Sequence, residues 1–146
     1  MRLLLVCGAV LATALPSVAS AEDAEEAFRR GQKHFATGEY RDALGAYRAA
    51  YEKAPLPDIV FNIAQCHRNL GEYKEAKKAF ESYLEKRDDA PNRAQVEKTL
   101  EQLTILAKAR RAVRSRRYDR AVKRYEEALE IEPLAAIHRD LARAFE

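Results

Sequence analysis

The stretch GEYRDALGAYRAAYEKAP, residues 38–55, places Tyr40, Ala43, Leu44, Tyr47, Ala50 and Tyr51 at intervals of three and four. That spacing gives a helix one apolar face, and the rings of Pro55 and Pro57 stop it from continuing. Gly38 supplies a turn before it. Upstream, Ala24, Ala27, Phe28, Gly31 and Phe35 form a similar stripe, broken at Thr37-Gly38. Two helices joined by so short a turn lie antiparallel, so residues 24–56 read as a helical hairpin.

A relative of the same stretch, GEYKEAKKAFESYLEKRD, begins at Gly71. Ile59, Phe61, Ile63, Ala64, Cys66 and Leu70 furnish its first helix, Gly71-Glu72 the turn, and Tyr73, Ala76, Ala79, Phe80, Tyr83 and Leu84 its second. Ala43 and Ala76 are 33 residues apart, a period that marks a solenoid of helical hairpins. A third copy carries Tyr118, Ala121, Tyr125, Ala128 and Pro133 in the order of Tyr40, Ala43, Tyr47, Ala50 and Pro55, but Ala121 lies 45 residues after Ala76.

The added residues are placed by the polar break at Asp88-Asp89-Ala90-Pro91-Asn92. Asn92 and Gln95 are spaced as a capping box, and Val96, Leu100, Leu103, Ala107 and Arg110 continue one stripe. This predicts one helix of more than twenty residues whose later half opens the third repeat. The expected repeats are therefore about 24–56, 57–90 and 102–134, with a half-repeat or cap over 134–146. In that last segment Ile137, Leu141, Ala144 and Phe145 are expected to face inward, and His138, Arg139, Asp140 and Arg143 outward.

Residues 1–21 have the pattern of an export signal: Arg2, an apolar run from Leu3 to Leu15, and small residues at Ala19-Ser20-Ala21. Cleavage there leaves 125 of the 146 residues, one ordinary domain, beginning at Glu22. No later segment is long and apolar enough to span a bilayer, so no integral membrane segment is expected in the mature chain. Cys7 leaves with the signal. Cys66 is then alone, cannot form an internal disulfide, and reads as a buried small hydrophobe.

The matching positions of the three copies are Ala27, Arg30, Gly31, His34, Ala43, Tyr47 and Pro55; Val60, Ile63, Ala64, His67, Ala76 and Phe80, with Asp88 in place of proline; and Ile105, Lys108, Ala109, Ala112, Ala121, Tyr125 and Pro133. This pattern resembles tetratricopeptide repeat proteins, and the second copy is similar to exported bacterial members. Small residues at Gly31, Ala64, Ala109, Ala43, Ala76 and Ala121 let paired helices approach, while Tyr47, Phe80 and Tyr125 fill the space between repeats. The resemblance implies an all-α fold, a short right-handed solenoid, and a non-catalytic scaffold for protein or peptide partners. It also implies that first helices line the groove, which makes Gln32, Asn62, Gln65 and Asn69 the groove candidates. The amides of Asn62 and Asn69 can both donate to and accept from a peptide backbone.

Charge singles out a second surface. Lys108, Arg110, Arg111, Arg114, Arg116, Arg117, Arg120, Lys123 and Arg124 fall within 17 residues, with Asp119 the one acid among them. Across a helical hairpin they form a basic patch, either a solvated face or a dock for an acidic protein or an anionic envelope surface. The alternative function is thus a peripheral envelope-binding or structural element. Export argues against nucleic acid, and the recurrence of Tyr40, Tyr47, Tyr73 and Tyr118 at repeat positions makes packing the simpler account of the aromatics. His34 and His67 occupy equivalent positions, and neither they, Cys66 nor His138 has a metal-ligand spacing. No cofactor, metal or catalytic set is expected, and the location expected is periplasmic, or else secreted.

Overall fold

The computed structural model describes residues 18–144, with side chains from residue 23. It contains α1 (Val18–Ala36), α2 (Tyr40–Lys53), α3 (Pro57–Asn69), α4 (Tyr73–Lys86), α5 (Arg93–Arg114), α6 (Tyr118–Ile131) and α7 (Ala135–Ala144). No strand occurs among the described residues. Most of the expected export signal lies outside them, as does Phe145; the expected cleavage point after Ala21 falls inside the first turn of α1.

The hairpin α1–α2 is followed by α3–α4 and α5–α6, each packed on its neighbour in chain order. α7 then packs on α6 and reaches back to α3. The long helix is found where the sequence puts it, and its 22 residues serve first as a spacer and then as the partner of α6.

Each hairpin closes with the same backbone turn. After α1, the N–H of Gly38 donates to Phe35 O at 3.1 Å and that of Glu39 to His34 O at 2.9 Å; after α3, Gly71 and Glu72 repeat this with Arg68 O and His67 O. Such a cap requires one residue with positive φ, which glycine supplies without a Cβ clash. Gly38 and Gly71 have φ of 78° and 75°. The third turn has the same bonds, from Arg116 to Val113 O and Arg117 to Ala112 O, but its positive-φ residue is Arg116, at 54°.

The small repeat positions do what close packing demands. Ala43, Ala64, Ala76, Ala109 and Ala121 are fully buried, and Tyr47, Phe80 and Tyr125 are nearly so. A Cβ on Gly31 would lie 2.7 Å from the Tyr47 ring, so α1 and α2 can approach this closely only without it. One core joins α1, α2 and one face of α3 around Tyr47 and Cys66; a larger one runs from α3 to α7, and Tyr51 touches both. Phe61 packs edge-on against Phe80 at 5.7 Å within the larger core.

Three expectations about individual side chains are overturned. Asn92 makes no side-chain cap for α5; its Oδ1 instead accepts from the Tyr83 hydroxyl at 2.7 Å, which pins the loop to α4. Tyr118 is exposed, although its counterpart Tyr73 is buried. Tyr73 is covered by Arg110 and Asp140 from later helices, whereas no described hairpin follows to cover Tyr118. Asp140 itself is buried, not outward-facing.

Candidate functional site

Asn62, Gln65 and Asn69 lie at i, i+3 and i+7 of α3 and therefore form one stripe. The 33-residue period carries Gln65 back to Gln32 on α1, and the 45-residue interval carries it forward to Arg110 on α5. Gln32 is exposed and the three α3 residues are half-buried. Asn62 Nδ2 donates to Asp58 O at 2.8 Å and Asn69 Nδ2 to Gln65 O at 2.9 Å, so each amide spends one hydrogen on its own helix. The second hydrogen and the carbonyl oxygen of each remain for other partners.

The far end of this stripe is closed by α7. Arg110 Nε and Nη2 grip the Asp140 carboxylate at 2.9 and 2.8 Å, and the Tyr73 hydroxyl donates to the same carboxylate at 2.7 Å. The guanidinium also lies over the Tyr73 ring, 4.8 Å from its centroid. Arg139 donates to Asn69 O at 2.7 Å, so α7 is tied to α3 as well. The Asp140 hydrogen bond raises the Arg110 pKa, and burial, reinforced by the bond to Asp140, pushes the Tyr73 phenol far up. Arg110 is thus a structural cation and leaves the basic patch in which the charge count places it.

The remaining cations are exposed and divide by helix face. Lys108 and Arg111 on α5, Arg117 at the N-cap of α6, and Arg120 and Arg124 on α6 line a cleft of about 370 Å³ whose lining also includes Ala112 and Ser115. Arg114 points elsewhere, into the recesses beside Arg110, and Lys123 does not line the cleft. An adjoining recess is lined by Arg116, Arg117, Tyr118, Asp119 and Arg120. Among the described residues the cleft cations have one carboxylate within 4 Å, that of Glu127, which sits 2.9 Å from Arg124.

His34 and His67 are turn elements, whereas His138 is exposed on α7. His34 Nδ1 donates to Glu39 Oε2 at 2.7 Å, and this bond, with a further one from Thr37, lowers the Glu39 pKa. His67 Nδ1 makes the equivalent bond to Glu72 at 2.6 Å while its Nε2 accepts a long one from Arg48 at 3.4 Å. Cys66 is fully buried and burial pushes its thiol up to about 12, which makes it inert toward electrophiles at neutral pH. No group of three His, Cys, Asp or Glu residues gathers as a metal site among the described residues, and none of their helices is long and apolar enough to cross a membrane.

One buried polar network has no sequence signature. Arg68, 7% exposed, donates to Gln102 Oε1 at 3.0 Å and to Glu132 Oε2 at 2.7 Å; Gln102, fully buried, caps Ala128 O and Glu132 O at the end of α6. It joins α3, α5 and α6, and leaves Arg68 Nε without a partner. Only Gln102's place on the inward stripe of α5, one residue from Leu103, hints at its burial.

No curated protein matches the chain. Among solved structures similar to it is the first TPR of Spaghetti (RPAP3) bound to HSP90 peptide SRMEEVD, 18% identical, over 85% of this chain and 91% of that one, with a TM-score of 0.46. The family model for the tetratricopeptide repeat matches residues 28–91 and 106–146. That match reaches all three hairpins, starting within α1, and its break at residues 92–105 falls on the first half of α5; the chain belongs to the tetratricopeptide repeat family, whose members are protein- and peptide-binding modules without chemistry of their own.

Proposed function

We propose that the chain is an exported scaffold of a bacterial cell envelope, periplasmic in location, which holds a protein or peptide partner along the stripe shared by α1 and α3. The observation that carries this reading is the recurrence of an amide at one position of the first two repeats, Gln32 and Gln65, neither committed to a partner among the described residues, beside the carbonyl oxygen of Asn62, which is likewise open. The third repeat puts Arg110 at that position and spends it on Asp140, so the open part of the stripe is its N-terminal part. The apolar run from Leu3 to Leu15 with Ala19-Ser20-Ala21 supports export, and the single cysteine of the remaining chain is compatible with an oxidising compartment.

The test is in-cell crosslinking of the tagged chain, capture, and mass spectrometry, run in parallel for the parent and for Q32A/N62A/Q65A. A protein recovered in fixed ratio with the parent and reduced at least fivefold with the variant is the expected result. Equal recovery with both removes the stripe from the account. Export is read separately: the mature N-terminus should be Glu22 in an envelope fraction, and an intact Met1 in the cytoplasm would end that part of the reading.

A further inference from the structure

The cleft between α5 and α6 is built differently from the equivalent places in the first two hairpins. Those turns use Gly38 and Gly71 for the positive-φ residue and lock it with the His34–Glu39 and His67–Glu72 pairs. Here Arg116 holds the left-handed conformation that disfavours a side chain, and Ala112 and Arg117 stand where the histidine and glutamate were. Both changes weaken the turn, remove an acid and add cations. The exchange of Glu for Arg at position 117 also adds one wall of the cleft.

The cations line both walls of one recess. Lys108, Arg111 and the C-cap Ser115 follow one face of α5, and the N-cap Arg117, Arg120 and Arg124 follow one face of α6. Each stripe runs over eight residues, seven helical rises or about 10 Å. Five positive groups converging on one recess, with one carboxylate nearby, focus a positive potential that the chain does not neutralise itself. Elsewhere in this protein, buried or half-buried arginines are paired: Arg68 with Glu132 and Arg110 with Asp140.

We infer that this cleft docks an acidic segment of a partner protein, one presenting three or four carboxylates within about 10 Å, as two turns of an acidic helix or some four residues of extended chain do. A recess suits side-chain carboxylates better than a flat lipid surface. Membrane association is also strengthened by apolar side chains that insert, and among the described residues the large exposed apolar ones are Tyr118 beside the cleft and Leu56, which lines a different cavity. The inference rests on the reading of the chain as a protein-binding module, but uses a face made from both helices of one hairpin rather than the α1–α3 stripe.

The experiment uses the mature chain, a fluorescein-labelled octaglutamate peptide and an octaglutamine control, with binding followed by anisotropy at 50 and 200 mM salt. Octaglutamate should bind, octaglutamine should not, and affinity should fall with salt. R111A/R120A/R124A should weaken binding at least tenfold, while K78A/K86A/K98A, which removes three exposed charges elsewhere, should change it less than twofold. Circular dichroism melts of both triple variants identify any loss that comes from unfolding, and the single variant R120E then replaces a triple variant that fails to fold. No octaglutamate binding, or equal loss in both triple variants, overturns the inference. Cleft-dependent cosedimentation with phosphatidylglycerol vesicles, without octaglutamate binding, overturns it in favour of a lipid surface. Loss of the crosslinked partner in Q32A/N62A/Q65A bears only on the stripe, so the two readings fail separately.

Discussion

Replacing Asp140 with alanine tests the role of α7 more directly than any other single change. Asp140 is 7% exposed and accepts three hydrogen bonds, two from Arg110 and one from the Tyr73 hydroxyl. Its loss leaves the Tyr73 hydroxyl buried without an acceptor and the Arg110 guanidinium without its counterion. Breaking a fully buried ion pair costs about 3–5 kcal/mol. The Arg110 side chain is 37% exposed, so water can solvate part of the orphaned charge and the cost should fall to about 2–3 kcal/mol. For a domain of this size that is roughly a 7–10 °C fall in Tm. Urea unfolding of the parent, D140A, R110L and the double variant measures it, and the cycle should return a coupling of about 1–2 kcal/mol. α7 is terminal and could detach alone, so amide exchange along α7 should be read as well. If D140A unfolds within 0.5 kcal/mol of the parent and its α7 amides remain as protected, the clasp does not hold the helix.

Three further outcomes follow from the packing. Gly31→Ala puts a methyl 2.7 Å from the fully enclosed Tyr47 ring and should cost about 2–3 kcal/mol in urea unfolding, whereas Gly45→Ala, with nothing within 4 Å and an exposed helical site, should stabilise by about 0.5–1 kcal/mol; equal effects would contradict the α1–α2 spacing. Arg116→Gly should stabilise by about 1 kcal/mol by removing a side chain from a φ of 54°, and a loss of stability would show that the arginine contacts something that repays the strain. Stability should be level from pH 7 to 8.5 and then fall. Cys66, Tyr47 and Tyr125 are held neutral to about 12 by burial, so the unfolded chain loses these protons first, the thiol from about pH 9 and the phenols from about pH 10, each removing up to about 1.4 kcal/mol per pH unit. Stability unchanged to pH 11 would refute the burial of these groups.

The hairpins, their turns and the long α5 were readable because each is a local pattern: apolar residues every three or four positions, Gly at the first two turns, Pro after the second helix of the first and third repeats. Gly31, Ala64 and Ala109 were readable for the same reason, since repetition marks them as packing positions. What could not be read is what depends on contacts between distant segments. Arg68 reaches Gln102 and Glu132, 34 and 64 residues away, and Tyr73 reaches Asp140 at a separation of 67. An aspartate on a short amphipathic helix looks solvent-facing until the helix is known to lie against Arg110. The same contact explains why a count of cations assigned Arg110 to the basic surface: linear charge density carries no sign of which side chains already have a partner.

The third hairpin concentrates the departures from the repeat pattern, and their direction is informative. A turn that has only to connect two helices is best served by glycine at the left-handed position and by the His–Glu pair beside it, as the first two turns show. Random drift from that pattern would scatter polar and apolar replacements. Here Arg116 and Arg117 replace the glycine and the glutamate, within four residues of Arg114 and Arg120, and the alanine that replaces the histidine forms part of the cleft lining. The exchanges weaken the turn locally, and those at 116 and 117 raise the positive charge around the cleft and the recess adjoining it. Local rules broken together, in one place and toward one electrostatic end, are what a binding surface leaves in a sequence whose remaining choices agree with the fold. Arg116→Gly therefore separates two demands on one residue. If the turn serves only connection, the variant gains stability and keeps its affinity for octaglutamate; if the turn serves the cleft, the gain in stability comes with weaker binding.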